Sequence, residues 1–139
     1  MRFPLYLTLL LFYISGYSSA QNNYSITGEL KLWHTVTIKF NGPQTSEHDS
    51  INPFSDYRLN VLFSNADTSF LIPGYYAADG NAGETGDSSG NKWKVNFVPV
   101  QTGYWHFKTS FRYGSNTAIS LDDSAGTAES SRLIAVFEP

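Results

Sequence analysis

The sequence predicts an all-β fold, an antiparallel β-sandwich of about seven strands. Three observations lead to this prediction. Bulky apolar side chains alternate with polar ones along several segments, as they do in strands with one buried face. Residues typical of turns separate these segments. Aromatic residues, which favour strands, make up 16% of the 139 residues. No segment has a convincing apolar repeat of 3.6 residues, so helices are not expected.

Four segments show the two-residue alternation most clearly. We predict strands at Leu32–Phe40, Tyr57–Phe63, Lys92–Phe97 and Tyr104–Arg112. Each has an apolar face for the core and a polar face for solvent. Trp93 and Trp105 are in phase with the apolar positions of their strands, so both are assigned to the core.

Three shorter segments complete the predicted set of strands. They are Phe70–Ala77, Thr117–Leu121 and Leu133–Phe137. Pro73 and Gly74 interrupt the first of them, which is typical of an edge strand or a bulge. The run from Asp79 to Asn91 is rich in Gly, Asp, Asn and Ser, and this composition predicts a surface loop.

The first 20 residues have the features of a secretory signal peptide. Arg2 gives a positive start, an apolar run covers Leu5–Ile14, and small residues end at Ala20. A membrane span needs about 20 apolar residues, roughly twice that run. We therefore predict a signal peptide at 1–20, a disordered segment at 21–29, one β-sandwich module at 30–139, and a secreted, periplasmic or cell-surface location.

Charge and composition exclude several classes of function. The net charge is −3 and becomes −4 when Arg2 is removed, which is unfavourable for binding nucleic acid. No basic amphipathic stretch is present for a membrane surface, so no membrane insertion is expected after signal cleavage. The chain has no cysteine, hence neither a thiolate nucleophile nor a cysteine metal site. We expect no cofactor.

A search for catalytic motifs predicts that the chain is not an enzyme. It contains no His-Glu-x-x-His helix and no phosphate-binding glycine loop. His34, His48 and His106 are far apart in sequence and too few for a zinc site, although His34 and His106 could meet across a sheet. Asp122 and Asp123 form the one adjacent carboxylate pair considered for hydrolysis. We interpret this pair as part of a solvated turn, because neighbouring side chains in an extended chain point apart.

The acidic loop offers a calcium hypothesis that the sequence leaves open. Asp79, Asn81, Glu84 and Asp87 supply oxygen ligands at suitable spacings. The loop lacks the full Asp-x-Asp-x-Asp-Gly pattern with its distal Glu, and this favours a loop without a metal.

Aromatic side chains are the remaining candidates, because the apolar faces of sugar rings stack on them. We predict glycan contacts by Tyr75, Tyr76 and Tyr104, and consider Trp33 and Tyr113 as further exposed rings. Tyr75 and Tyr76 are adjacent, so only one of the two can face the interior of a regular strand. The other faces solvent near the Asp79–Asn91 loop.

An ordered set of motifs carries a family resemblance. In chain order these are Trp33, Val36–Phe40, Asn52-Pro53-Phe54, Pro73-Gly74-Tyr75-Tyr76, Asp79-Gly80-Asn81, Trp93–Phe97 with Pro99, and Gly103-Tyr104-Trp105. Over Leu30–Arg112 the chain resembles the bacterial module known as domain of unknown function number 5060. That family is immunoglobulin-like and typically precedes a glycoside hydrolase barrel. Two departures are Asn96, where the family commonly has Arg, and Ala128–Pro139, which does not match its Gly-rich closing segment.

The resemblance implies a non-catalytic accessory module of a secreted carbohydrate-active enzyme. Its expected partner is a glycoside hydrolase catalytic domain or a polysaccharide. The alternative is a cell-surface adhesion or protein-binding module of the same fold, because one fold serves many functions. Two or more exposed aromatic rings in one groove would favour sugar binding. A flat apolar patch would favour docking to a protein.

Overall fold

The computed structural model describes residues 23–128 and 134–139. The strands in these ranges are β1 Tyr24–Thr27, β2 Val36–Ser46, β3 Tyr57–Ser64, β4 Ser69–Pro73, β5 Tyr75–Tyr76, β6 Ser89–Phe97, β7 Trp105–Tyr113, β8 Thr127–Ala128 and β9 Ile134–Phe137, and one short helix, α1, spans Ala82–Thr85. The predicted antiparallel β-sandwich is confirmed. The predicted signal peptide at 1–20 lies outside the described residues.

The strands form two antiparallel sheets. The four-stranded sheet has the order β1-β2-β6-β5. The five-stranded sheet has the order β4-β3-β7, and β8 and β9 pair with opposite ends of β7. Among the described residues, no helix is long and apolar enough to cross a membrane.

Aromatic side chains from both sheets fill the space between them. Phe63 of the five-stranded sheet stacks on Phe97 of the four-stranded sheet, with ring centroids 4.1 Å apart and planes 3° from parallel. Trp93 and Trp105 are both buried, as predicted. The Trp105 indole donates a hydrogen bond to the Gln101 carbonyl at 3.0 Å, which satisfies its polar nitrogen.

The segment Phe70–Ala77 is divided between the two sheets. β4 pairs with β3 in the five-stranded sheet, and β5 pairs with β6 in the four-stranded sheet. Gly74 lies at the crossing, and a β-carbon there would lie 2.4 Å from Leu59 Cδ2. The prediction of an edge strand is confirmed for both parts of the segment, because β4 and β5 each lie at the edge of a sheet. Glycine is required at position 74 because the core leaves no space there for a side chain.

Two predicted boundaries near the N-terminus were wrong. The segment 21–29 contains strand β1, whose residues pair with β2 from Tyr24↔Phe40 to Thr27↔Thr37. The strand predicted at Leu32–Phe40 begins only at Val36. Trp33 lies in the preceding turn with a positive φ of 65°, and its backbone N–H donates to the Pro99 carbonyl.

Two further predictions were wrong near the loops. Thr117–Leu121 is a turn rather than a strand. The N–H groups of residues 117–120 donate to the carbonyls of Gly114, Asn116 and Ser55, and Arg58 binds the Ser120 carbonyl, so these groups are not available to a sheet. The loop Asp79–Asn91 contains α1, and its last residues already belong to β6.

Candidate functional site

A cleft of about 430 Å³ opens beside the sheet crossing at Gly74. This volume falls within the range of ligand clefts in proteins, about 300–1,000 Å³. Leu59, Tyr76 and Trp93 form its buried side. Its remaining lining includes the exposed side chains of Phe54, Leu71 and Tyr75, and the polar residues Arg58, Asn60, Ser120 and Asp123.

Tyr75 and Tyr76 face opposite directions, as the alternation of side chains along a strand predicted. Tyr76 is 6% exposed and faces the core, whereas Tyr75 is 44% exposed. The Tyr76 hydroxyl donates to the Thr45 carbonyl at 2.7 Å. Burial, followed by the charge of Glu47, raises the pKa of this hydroxyl, so it remains a donor. Tyr76 is therefore a structural support for the cleft, and of the two rings Tyr75 is the one available to a ligand.

Phe54 supplies a second exposed ring at the same cleft. It follows Asn52-Pro53, where the Asn52 side chain accepts a hydrogen bond from the Phe54 N–H at 2.8 Å. This turn is of the kind that the Asn-Pro pair predicts. The Phe54 ring packs edge-to-face on Tyr76, with centroids 6.0 Å apart. Phe54 belongs to the Asn52-Pro53-Phe54 motif but was not among the predicted glycan contacts.

Two arginines hold the loop that borders the cleft. Arg58 and Arg112 are direct cross-strand partners on β3 and β7. Arg58 donates to the carbonyls of Ser120 and Asp122, and Arg112 donates to those of Ser124, Ala125 and Gly126. Leu121 is left fully exposed on this loop.

Asp122 and Asp123 do not share one environment. The Asp122 carboxylate accepts hydrogen bonds from the Ser124 N–H at 2.8 Å and the Ser124 hydroxyl at 2.7 Å. These bonds, aided by the charges of Arg112 and Arg58, lower the pKa of Asp122. A general acid needs a raised pKa instead. Asp123 is almost fully exposed and lies 3.9 Å from the Arg58 guanidinium.

The Asp79 carboxylate, proposed as a calcium ligand, holds its own turn. It accepts hydrogen bonds from the Asn81 N–H at 2.7 Å and the Thr85 hydroxyl at 2.9 Å. The Asn81 bond is the main cause of the lowered pKa of Asp79. Within residues 23–128 and 134–139, no three His, Cys, Asp or Glu side chains are grouped so that they could hold a metal ion.

The three histidines lie in separate places. His34 is in the turn before β2, not in a strand, and its Nδ1 lies 3.2 Å from the Glu29 carboxylate. His48 is in the turn after β2. His106 is on β7 in the other sheet, opposite Ser64. The expectation that His34 and His106 meet across one sheet was therefore wrong.

Tyr104 lies on a different surface from Tyr75. It is 63% exposed and borders a depression lined by residues 65–67, residues 101–104 and His106. This depression shares no lining residue with the cleft. Trp33 is 68% exposed and lines neither of them. The structure thus separates the predicted contacts instead of uniting them.

Asp56 joins two loops beside the cleft and gives a pH prediction. Its carboxylate accepts hydrogen bonds from the N–H groups of Asn116 and Asn52, both at 2.8 Å. The Asn116 bond is the main cause of its lowered pKa. A lowered folded-state pKa stabilises the protein above the ordinary aspartate pKa, near 4, and this stabilisation is lost as the pH falls through the lowered value.

We expect the melting temperature to fall as the pH drops below about 4. The Asp56→Asn variant should have a lower melting temperature than the wild type at neutral pH, and its melting temperature should fall less on acidification. Asp67→Asn is the control, because Asp67 lies in the exposed turn after β3. Calorimetry from pH 7 to pH 2.5 checks the difference, and parallel curves for the wild type and Asp56→Asn would contradict it.

Comparisons with known proteins identify the family of this chain. The family model "Domain of unknown function (DUF5060)" matches residues 29–112. No curated protein matches the chain. A solved structure described as a candidate glycoside hydrolase from Bacteroides vulgatus ATCC 8482 matches this chain with 20% identity and a TM-score of 0.46.

The extent of these matches differs. The solved structure aligns with 77% of this chain, but the chain spans only 15% of that protein's length. The family match covers more than half of the 139 residues and includes both the cleft-lining segment Pro53–Trp93 and the crossing at Gly74. The chain is a member of the DUF5060 family.

Proposed function

We propose that this chain is a non-catalytic accessory module of a secreted carbohydrate-active enzyme, and that it contacts glycan at the cleft. One observation carries the glycan contact: two exposed aromatic rings, Phe54 and Tyr75, line the same cleft. Sugar rings present apolar C–H faces that such rings cover, while nearby polar groups fix orientation. Membership of the family supports an association with glycoside hydrolases, as the resemblance implies.

The state of the carboxylates supports a non-catalytic role. Asp56, Asp79 and Asp122 each accept hydrogen bonds that shape a turn, and each has a lowered pKa. Glycoside cleavage usually requires two carboxyls on either side of the bond, one of them kept protonated by a raised pKa. None of these three meets that requirement.

The polar groups of the cleft suit sugar hydroxyls. Asn60 and Ser120 line it beside the aromatic rings. The Arg58 guanidinium is mostly buried and already donates to two backbone carbonyls. The Arg58 side chain therefore forms part of the cleft wall, and its N–H groups have hydrogen-bond acceptors without a ligand.

The test is binding of the purified chain to an array of neutral and acidic polysaccharides. Tyr75→Ala should weaken the affinity for the bound glycan by about 10-fold, the loss of one aromatic contact worth roughly 1.4 kcal/mol. Tyr104→Ala is the matched control, because it removes an exposed tyrosine from the other surface. Phe54→Ala should weaken binding in the same direction as Tyr75→Ala.

Three outcomes would contradict the proposal. Binding to no glycan would remove the glycan contact. An effect of Tyr104→Ala larger than that of Tyr75→Ala would move the contact to the other surface. Release of new reducing ends from any polysaccharide on the array, absent with buffer alone, would overturn the non-catalytic role.

A further inference from the structure

The outer face of the four-stranded sheet carries an unusual set of side chains. On β2 and β6 the apolar residues face the core, from Val36 to Phe40 and from Trp93 to Phe97. The alternate positions therefore face outward. They are Thr37, Lys39 and Asn41 on β2, and Lys92, Lys94 and Asn96 on β6.

The strand register joins these residues into rows. One row crosses all four strands as Ser25, Lys39, Lys94 and Tyr75, each directly opposite the next. Directly opposite side chains have β-carbons about 4.5–5.5 Å apart. Two lysines thus stand side by side next to the exposed tyrosine that borders the cleft.

The flanking rows are polar. Thr37 donates a hydrogen bond to the Asn96 side chain at 2.8 Å across one neighbouring row. Lys92 donates to the Asn41 side chain across the other. The face thus adds amide and hydroxyl groups and a third ammonium group to the pair of lysines.

Lys39 and Lys94 have no charged partner in the described part of the chain. No carboxylate of residues 23–128 or 134–139 lies within 4.0 Å of either ammonium group, and neither group makes a hydrogen bond. Like charges directly opposite one another destabilise a sheet. The protein has a net charge of −3, so this face is a cationic patch on an acidic molecule.

We propose that this face binds an acidic polysaccharide, one whose sugars carry carboxylate groups. The carboxylates pair with Lys39 and Lys94, and a neighbouring sugar ring covers Tyr75. The amide and hydroxyl groups of Asn96, Asn41 and Thr37 face the sugar hydroxyls. Charge complementarity selects the ligand, and a bound anion removes the repulsion between the two lysines.

The proposal deepens the proposed function, on which it rests, by naming the class of glycan that meets Tyr75. A nucleic acid is disfavoured, because the row offers one aromatic ring, whereas strand-binding proteins use several rings in a positively charged groove.

Affinity electrophoresis and calorimetry with polygalacturonate test the proposal. The matched probe is the same polymer with its carboxylates methyl-esterified, which keeps the sugar and removes the charge. We expect the wild type to bind the free acid at least about 10-fold more tightly, since two ion pairs of about 0.7 kcal/mol each are lost on esterification. This difference should shrink as salt is added.

The test variant is the double substitution Lys39→Gln with Lys94→Gln. It should reduce polygalacturonate affinity to that for the esterified polymer. Lys108→Gln is the control, because Lys108 is an exposed lysine on the other sheet. The double variant should unfold at the same or a higher denaturant concentration than the wild type, since a like-charge pair is removed; this separates lost binding from lost folding.

Four results would overturn the proposal. The first is equal affinity for the acid and esterified polymers. The second is unchanged polygalacturonate binding by the double variant. The third is equally tight binding of single-stranded DNA, which would indicate a general polyanion surface. Binding of a neutral glycan that depends on Tyr75 but not on the lysines would also overturn it, while leaving the proposed function intact.

Discussion

Replacing Trp93 with alanine is expected to destabilise the protein by about 3–5 kcal/mol, the usual cost of removing a fully buried tryptophan. The Trp93 ring is 2% exposed and packs against three aromatic rings from the two sheets, Tyr57, Tyr76 and Phe111. Domains of this size have stabilities of about 5–15 kcal/mol. The variant would therefore lose much of its stability, and the buried side of the cleft would lose its support.

Guanidinium denaturation followed by far-ultraviolet circular dichroism measures this loss. Trp33→Ala is the matched control, because it removes a tryptophan that is mostly exposed, and it should change stability by less than about 0.5 kcal/mol. Similar midpoints for the Trp93 and Trp33 variants would show that the core around Trp93 is not packed as described.

Gly74→Ala should cost about 1–3 kcal/mol, the range for adding atoms to a packed core. A β-carbon at this position would lie 2.4 Å from Leu59 Cδ2, 2.7 Å from Leu59 Cγ and 2.9 Å from the Lys94 carbonyl oxygen. Leu59 is buried and cannot move aside without displacing the core. The effect is purely steric, since the backbone of Gly74 has no positive φ.

A double-mutant cycle with Leu59→Ala tests the cause. Leu59→Ala alone should cost about 2–5 kcal/mol by leaving a cavity. The double variant should be more stable than the sum of the two losses predicts, because the new β-carbon then occupies space that Leu59 vacated. Strict additivity of the two losses would contradict this explanation of Gly74.

The strands with the strictest alternation could be predicted from the sequence. β3, β6 and β7 lie where their bulky residues alternate, and Trp93 and Trp105 are core residues for that reason. Alternation failed to predict the structure where contacts with residues far away in the sequence determine the backbone conformation. Thr117, Ile119 and Leu121 also alternate, yet their segment is a turn, in which the Ala118 N–H donates to the Ser55 carbonyl and Arg58 binds the Ser120 carbonyl.

The candidate site was only partly predictable. Alternation required that one of Tyr75 and Tyr76 face outward, and the structure identifies Tyr75. That Tyr104 lies on a different surface from Tyr75 could not be predicted, because the sequence does not tell which loops lie at the same end of the sandwich. The placement of Lys39 opposite Lys94 depends on the pairing of β2 with β6, two strands far apart in the chain.

The way the strand Phe70–Ala77 divides at Gly74 also bears on self-association. The divided strand leaves each sheet with a short border: β5 has two residues, and β4 has five and ends at Pro73, which lacks an N–H group. Long unpaired strand borders recruit further copies into fibrils, and proteins resist this by keeping such borders short or interrupting them with proline. We therefore expect the short borders on either side of Gly74 to disfavour edge-to-edge pairing between copies of the module.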